Sequence, residues 1–134
     1  MVTAARGLLD TSVLIAAESG RRITRGSVPT ESATSVVTLA ELRLGVLAAP
    51  DDRSRSRRLE TLEGLGRIKV FDVDDVAARE WANLRLALRD RRRRMNVNDL
   101  WIASIAVANR LPIVTQDADF DALDGLPGVE LIRV

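Results

Sequence analysis

The stretch GLLDTSVLIAAES, residues 7–19, sets a pattern that the rest of the chain repeats. Its first three residues are apolar and predict a short strand, which ends at Asp10. Thr11 and Ser12 carry hydroxyls suited to helix capping, so they open a predicted helix over the rest of the stretch. The stretch is therefore a strand followed at once by an acid and a helix.

The same alternation of short apolar runs and longer amphipathic runs continues to the last residue. Further strands are predicted at 32–35, 68–71, 113–115 and 129–132. Further helices are predicted at 37–48, from a cap at Asp51 or Asp52 to about 64, at 74–92, at 99–110 and at 119–123. Strands separated by helical crossovers imply a parallel sheet with helices on both faces. We expect a single three-layer α/β/α domain over residues 1–134, built on a five-stranded parallel sheet.

The composition excludes several kinds of chemistry. Among 134 residues, 46% are hydrophobic, which is enough for a core, and there is no Cys and no His. Disulfides, thiol nucleophiles and imidazole acid–base catalysis are therefore excluded. The longest strictly apolar run is far shorter than the ~20 residues of a membrane span, and the N-terminal residues lack a signal-peptide pattern. We expect a cytoplasmic protein whose chemistry rests on carboxylates, hydroxyls, arginine or a hard metal ion.

The net charge of +1 hides an uneven distribution of charge. Residues 53–58 and 89–94 are rich in arginine, whereas residues 111–134 carry five acids and one arginine, a net charge of −4. Arginine binds phosphate through two parallel hydrogen bonds, so Arg92 and Arg93 are candidate substrate-binding residues. The alternative is that the second run is a solvated helix end that interacts with the helix dipole.

Four acids belong to the same end of the predicted sheet, where ligands of parallel sheets bind. Asp10 and Asp117 follow the first and fourth strands, Glu41 lies in the first turn of the helix after the second strand, and Asp99 begins the helix before the fourth strand. As alternatives, Asp10 and Asp99 are helix caps and Asp117 is a turn residue. A purely structural role as a cap or surface residue does not suit Glu41, because it shares an apolar helix face with Val37.

Converging acids favour a divalent cation. Two carboxylates ~4 Å apart repel by about 4 kcal/mol at an effective dielectric of 20. Mg²⁺ and Mn²⁺ prefer oxygen ligands, can activate water and can screen phosphate charge. Without a cation, we expect at least one of the four acids to titrate well above its ordinary pKa.

Four motifs resemble those of a known family. LLDTSVLI at 8–15, TLAEL at 38–42, NDLWIASIA at 98–106 and TQDADF at 115–120 are similar to the signatures of PIN-domain nucleases, above all the VapC-type toxins of bacterial type II toxin–antitoxin pairs. The resemblance covers essentially the whole chain. It implies an endoribonuclease that depends on Mg²⁺ or Mn²⁺ and cuts structured RNA such as transfer or ribosomal RNA.

The resemblance also implies the residues of the site. Asp10, Glu41, Asp99 and Asp117 would form the catalytic set, with Asp10, Asp99 and Asp117 as metal ligands. Thr11 would orient the site through its hydroxyl and contact the substrate. Many relatives have Asn at the position of Asp117 and an acid at that of Asp119; this chain has both acids. We favour Asp117 because it lies nearer the strand end.

The helices at 37–48 and 52–64 are rich in leucine, which predicts an exposed apolar groove, with ordinary core packing as the alternative. In the resembled family such helices receive the cognate antitoxin, and the toxin forms homodimers and larger assemblies with it. Two other functions remain open. The first is a nucleotide-binding domain, but such a domain needs a Gly-rich phosphate loop, which this sequence lacks. A non-catalytic PIN-like module would bind RNA or protein without cleavage.

Overall fold

The structure, a computed structural model, describes residues 5–134. Residues 1–4 of the predicted domain, and with them part of the segment inspected for a signal peptide, lie outside the described residues. The strands are β1 (Arg6–Leu9), β2 (Glu31–Ser35), β3 (Lys69–Phe71), β4 (Ile113–Thr115) and β5 (Leu131–Arg133). The helices are α1 (Thr11–Ser19), α2 (Val36–Leu47), α3 (Asp52–Gly64), α4 (Asp75–Asp90) and α5 (Val97–Ala108). Short 3₁₀ helices occupy Arg25–Ser27, Leu65–Arg67 and Ala118–Leu123.

The five strands form one parallel sheet in the order β3-β2-β1-β4-β5. The chain builds the sheet outward from β1 to β3 and then crosses over to add β4 and β5 on the other side of β1. The order therefore reverses between β1 and β4, and parallel sheets bind ligands at such a switch point, beyond the carboxyl ends of the strands. The predicted five-stranded parallel sheet is confirmed.

Successive side chains of β1 and β4 pack on opposite faces of the sheet, as the two-residue period of a strand requires. Leu8 and Ile113 belong to a core shared with α4 and α5. Leu9 and Val114 pack with Val13 of α1 on the other side. Helices therefore cover both faces, and the predicted α/β/α layering is confirmed.

The α4–α5 pair supplies most of the larger core. Among its α5 members, Ile102 and Ile105 have no exposed surface, in agreement with an apolar run that extends almost all round the helix. Trp81 of α4 and Trp101 of α5 stack with ring centroids 5.2 Å apart. Both tryptophans therefore serve packing, as their apolar helical stripes predict.

Gly7 permits β1 to lie at the centre of the sheet. A Cβ atom at this position would stand 2.7 Å from side-chain carbons of both Pro29 and Val114, closer than real Cβ contacts. The loop that ends at Pro29 can cover β1 only because residue 7 has no side chain. Glycine is therefore required at residue 7, because neighbouring elements approach this position too closely for a side chain.

Several predicted boundaries were wrong by one to three residues. β5 is Leu131–Arg133 rather than 129–132, and the final short helix is a 3₁₀ helix. Helix α5 begins at Val97 because Asn96, not Asp99, caps it by accepting backbone N–H groups. Glu41 lies in the second turn of α2 rather than the first. None of the helices between residues 5 and 134 combines the length and apolar character needed to cross a membrane.

Candidate active site

Asp10 directly follows β1 and caps α1, so the predicted capping contact of this residue is present. Its side chain accepts a hydrogen bond from the backbone N–H of Val13. Asp10 is only 2% exposed, and both carboxylate oxygens have partners: Ser12 donates its hydroxyl to Oδ1 at 2.6 Å, and Thr115 donates to Oδ2 at 2.7 Å. Burial raises the pKa of Asp10 above its ordinary value, and these hydrogen bonds oppose that rise.

The hydroxyls of Ser12 and Thr115 also connect the ends of β1 and β4. Thr115 Oγ1 accepts the backbone N–H of Asp117 at 2.8 Å, and Ser12 Oγ accepts that of Gln116 at 3.0 Å. Each hydroxyl thus donates to Asp10 while it accepts from the segment after β4. Asp10 and Asp117 are far apart in sequence, yet this network holds them in a fixed relation.

Asp99 lies in the first turn of α5 and is half-buried. Its pKa is raised to about 7, first by burial and then by the charges of four neighbouring carboxylates. In decreasing order of effect, these belong to Asp117, Glu41, Asp10 and Asp119. The structure therefore brings together all four acids that the sequence selected, and the elevated pKa agrees with the expected repulsion among them.

Asp99, Asp117 and Asp119 form the tightest acidic group in the described part of the chain. One carboxylate oxygen from each lies within 4.8 Å of the others. The backbone N–H of Asp119 donates to Asp117 Oδ1 at 2.9 Å, so Asp117 caps the 3₁₀ helix whose first turn contains Asp119. The predicted ligand set of Asp10, Asp99 and Asp117 differs from this group, because Asp119 stands in it and Asp10, bound by two hydroxyls, does not.

Glu41 is half-buried on α2 and is tied to the start of α1. Thr11 donates its hydroxyl to Glu41 Oε1 at 2.7 Å, and Thr11 Oγ1 lies 3.1 Å from the hydroxyl of Thr38. The predicted orienting role of Thr11 thus has a definite candidate partner, the Glu41 carboxylate. A glutamate on this apolar helix face is accommodated because its charged end reaches a hydrogen-bond donor.

Comparison with known proteins assigns the family. The model of the PIN domain matches residues 7–126. The chain is 54% identical over 132 residues to Ribonuclease VapC5 of Mycobacterium tuberculosis, and the match covers 98% of both chains. It is 41% identical over 129 residues to Ribonuclease VapC4 of the same organism, covering 96% of this chain and 97% of the relative. The chain belongs to the VapC ribonuclease family of PIN-domain proteins.

Solved structures agree with membership of the VapC family. The crystal structure of VapBC-5 from Mycobacterium tuberculosis contains a chain with a TM-score of 0.92 and 50% identity, covering 98% of this chain and all of that chain. VapBC2 from Rickettsia felis, bound to a promoter DNA fragment, contains a chain with a TM-score of 0.78 and 22% identity, covering 96% of this chain and 98% of that one. The second likeness is one of fold alone.

The acids of this VapC-family chain suit a divalent metal ion. The donor set consists of carboxylate oxygens, which Mg²⁺ and Mn²⁺ prefer, and the chain has no Cys or His to select a softer ion. Three carboxylates whose oxygens lie within 4.8 Å concentrate negative charge that a dication would neutralise. The chain therefore contains an acidic cluster able to hold a divalent cation.

The arginines after α4 lie outside the acidic cluster. Arg92 and Arg93 are both exposed, and neither makes a hydrogen bond or ion pair with the acids among residues 5–134. Arg93 instead borders a cavity of about 280 Å³ beside Trp81. Arg91 of the same run donates hydrogen bonds to the backbone oxygens of Ala122 and Asp124, at 3.2 and 2.8 Å. These bonds hold the 3₁₀ helix against the end of α4.

Sequence reasoning missed the two hydroxyls that organise the site. The sequence pattern predicted only a helix-capping role for Ser12 and no role for Thr115. The available signal was spacing, because one hydroxyl stands two residues after Asp10 and the other two residues before Asp117. In a parallel sheet whose central strands carry both acids, hydroxyls at these positions can reach across the switch point.

Proposed function

We propose that the chain is an endoribonuclease that depends on Mg²⁺ or Mn²⁺ and serves as the toxin of a type II toxin–antitoxin pair. Its substrate is structured RNA, such as transfer or ribosomal RNA, in the cytoplasm, and the reaction is hydrolysis of a phosphodiester bond. One observation carries the proposal: Asp10, Glu41, Asp99 and Asp117 converge, with Asp119, at the switch point of the sheet. Relatives named ribonucleases support the choice of RNA.

The residues divide into those that would hold the cation and those that position them. Asp99, Asp117 and Asp119 would bind it, with Asp10 beside them. A bound Mg²⁺ or Mn²⁺ would supply an activated water for attack and screen the phosphate charge. Asp10 remains an acceptor of hydrogen bonds because Ser12 and Thr115 direct hydroxyl hydrogens at its two oxygens.

Two carboxyl groups handle protons in this proposal. Asp99 must release its proton before it can serve as a ligand, and its pKa of about 7 places that release near neutral pH. Glu41 uses one oxygen to accept the Thr11 hydroxyl. Its second oxygen has no protein donor among the described residues and is available to a water or a substrate hydroxyl. Thr11 therefore fixes the direction in which Glu41 presents that oxygen.

The substrate is a polyanion, so cations must offset the negative site. Arg92 and Arg93 remain candidates for contact with more distant phosphates, because they are exposed in the turn that leads to α5 and Asp99. A structured RNA can bridge such separated points, whereas a mononucleotide cannot. The proposal therefore assigns these arginines to affinity and not to the chemical step.

Helices α2 and α3 carry the candidate surface for the antitoxin. Leu47 is 80% exposed and Leu44 is 65% exposed, a poor arrangement for a protein without a partner. The predicted groove is smaller than expected, because Leu42 and Leu65 are buried in the chain's own core. A mostly apolar cavity of about 270 Å³ lies between α1, α2 and α3 and borders Glu41. An antitoxin seated there would reach the site.

Solved structures similar to this chain include VapBC toxin–antitoxin complexes, some of them bound to DNA. By likeness to the 50%-identical chain of VapBC-5 we assign the chain a VapB-like antitoxin as partner. A homodimer as the toxin unit and a larger assembly of toxin and antitoxin stay predictions from the family resemblance. Such a partner explains how a cell tolerates an enzyme that degrades its own RNA.

Cleavage of purified bulk transfer RNA and ribosomal RNA tests the function. The wild-type chain should cut with Mg²⁺ or Mn²⁺ and not with EDTA, and Asp99→Asn should abolish cutting. Asp75→Asn is the matched control, because Asp75 also lies in the first turn of a helix but has an exposed side chain and is not among the carboxylates that raise the pKa of Asp99. RNA binding without cleavage under every metal condition would instead identify a non-catalytic PIN-like module.

A further inference from the structure

An open cleft of about 620 Å³ adjoins the acidic site on the side of β4 and β5. Its wall includes Thr115 and Asp117, which also belong to the acidic site, so the two regions are continuous. The rest of the wall combines five polar or charged residues, Arg21, Thr24, Gln116, Asp121 and Arg133, with Ala118 and Val134. The volume lies within the range of pockets that hold small ligands, roughly 300–1,000 Å³. A strand bound at the acids can therefore continue into this cleft.

Arg21 is the cation of the cleft that has no ionic partner. Arg133 forms an ion pair with Asp121, which raises the pKa of Arg133 and cancels both charges. Arg21 makes one weak contact, 3.5 Å from Nη1 to Gln116 Oε1, and within residues 5–134 no carboxylate lies within ion-pair distance of it. Its positive charge is therefore available to an anionic ligand.

The backbone below Arg21 is held in place although its side chain is exposed. Gly20 ends α1 with a φ of +72°, and the backbone N–H of Arg21 donates to Ala16 at 2.9 Å. Gln116 donates its amide to the backbone oxygen of Arg22 at 2.8 Å, which ties this loop to the end of β4. Arg21 thus stands at a fixed place beside the acids and presents an exposed guanidinium.

We propose that Arg21 binds a backbone phosphate of the substrate RNA next to the scissile one, and so sets the direction of the strand across the acids. The inference rests on the proposed ribonuclease function and adds a subsite to it. Guanidinium groups bind phosphate through two parallel hydrogen bonds, and the exposed Thr24 can donate a further one. Beside an acidic cluster that repels RNA, an unpaired arginine supplies local attraction where the strand must pass.

Binding without cleavage tests the subsite directly. The probe is a short fluorescein-labelled single-stranded RNA of randomised sequence, followed by fluorescence anisotropy in EDTA. Arg21→Gln should weaken binding about ten-fold and lower the slope of log affinity against log salt concentration by about 0.7, the effect of one lost phosphate contact on a single strand. Arg25→Gln removes the same charge from the same loop but lies outside the cleft, so it should change affinity less than about two-fold.

Two further measurements separate a binding role from a structural one. With Mg²⁺, Arg21→Gln should raise KM and leave kcat nearly unchanged. Arg21→Lys keeps the charge without the planar fork, so it should retain the salt slope while binding more weakly than the wild type. A fall in kcat with unchanged KM, or a salt slope for Arg21→Lys as low as that of Arg21→Gln, would overturn the proposal.

The subsite and the ribonuclease function fail on different results. Equal weakening by Arg21→Gln and Arg25→Gln, unchanged affinity in Arg21→Gln, or no RNA binding by the wild type would overturn the subsite. Absence of cleavage with Mg²⁺ and Mn²⁺ would overturn the ribonuclease function, whereas a ten-fold difference between the two variants in EDTA would still support phosphate binding at Arg21.

Discussion

Thr115 Oγ1 donates a hydrogen bond of 2.7 Å to Asp10 Oδ2 across 105 positions of the sequence. The same hydroxyl oxygen accepts the N–H of Asp117, so one side chain sets the positions of two acids on neighbouring strands. Thr115 is 1% exposed, and water cannot replace either contact. The separation of the acids at the switch point thus depends on a residue with no charge of its own.

Thr115→Val tests this dependence, because valine keeps the shape and removes the hydroxyl. We expect a loss of about 1–3 kcal/mol in the free energy of unfolding and a large loss of RNA cleavage. Thr34→Val is the matched control: Thr34 is also fully buried and donates to a backbone oxygen, that of Leu9, at 2.8 Å. Urea denaturation should show similar destabilisation of both variants, whereas only Thr115→Val should lose activity. Full activity in Thr115→Val would contradict the assigned role.

The raised pKa of Asp99 predicts a pH dependence of stability when no metal is present. Its folded-state pKa of about 7 lies above the ordinary value of 3.8, so the folded protein holds this proton more tightly than the unfolded chain. The resulting stability is fully present below pH ~4 and is lost as the pH rises through about 7. Urea denaturation in EDTA should show the free energy of unfolding falling across that window, by about 1–2 kcal/mol after screening of a half-exposed group.

Asp99→Asn should remove this fall, and Asp75→Asn should retain it. Identical pH profiles for the wild type and Asp99→Asn would show that the acids do not raise one another's pKa values in solution.

Substitution of the fourth-motif acids separates their roles in metal binding. Asp117→Asn and Asp119→Asn should each weaken Mn²⁺ binding by at least about ten-fold in calorimetric titration, since both carboxylates belong to the tight acidic group. Asp124→Asn, on the exposed end of the same segment, should bind Mn²⁺ like the wild type. Unchanged affinity in Asp119→Asn would remove this residue from the ligand set and favour the original choice of Asp10.

Thr11→Val tests whether the hydroxyl aims Glu41. Loss of the 2.7 Å hydrogen bond should lower kcat with little change in KM, because the carboxylate is misplaced while the RNA surface is intact. Thr11→Ser keeps the hydroxyl and should restore most of the rate. Equal kinetics for the valine and serine variants would show that the methyl group, not the hydroxyl, matters at this position.

Leu47→Glu tests the antitoxin surface. Leu47 is 80% exposed, so the variant should unfold like the wild type, yet its affinity for the cognate antitoxin should fall at least ten-fold because burial of a leucine is worth about 1.5–3 kcal/mol. Leu86→Glu is the control, since Leu86 is half exposed on α4, away from α2 and α3. If both variants bind equally well in surface plasmon resonance, the antitoxin docks elsewhere.

Local pattern predicted the architecture. The apolar run of β1, the capping residues after it and the helical stripes of α4 and α5 each depend on residues within one or two turns, so they can be read directly from the sequence. The predicted helix boundaries were less accurate where two nearby residues could each cap the same helix. At α5, Asn96 accepts the free N–H groups, and Asp99 is left in the first turn with its carboxylate directed among other acids.

The sequence by itself determined the layered fold, the absence of thiol and imidazole chemistry, and the selection of Asp10, Glu41, Asp99 and Asp117. Only the tertiary structure decided that Asp119 joins the tight acidic group, that two hydroxyls hold Asp10, and that the predicted arginines lie outside the cluster. The physical reason is that distances between remote residues depend on strand register and on the turns after each strand. A local pattern specifies which side chains reach the end of the sheet, but not which oxygens meet there.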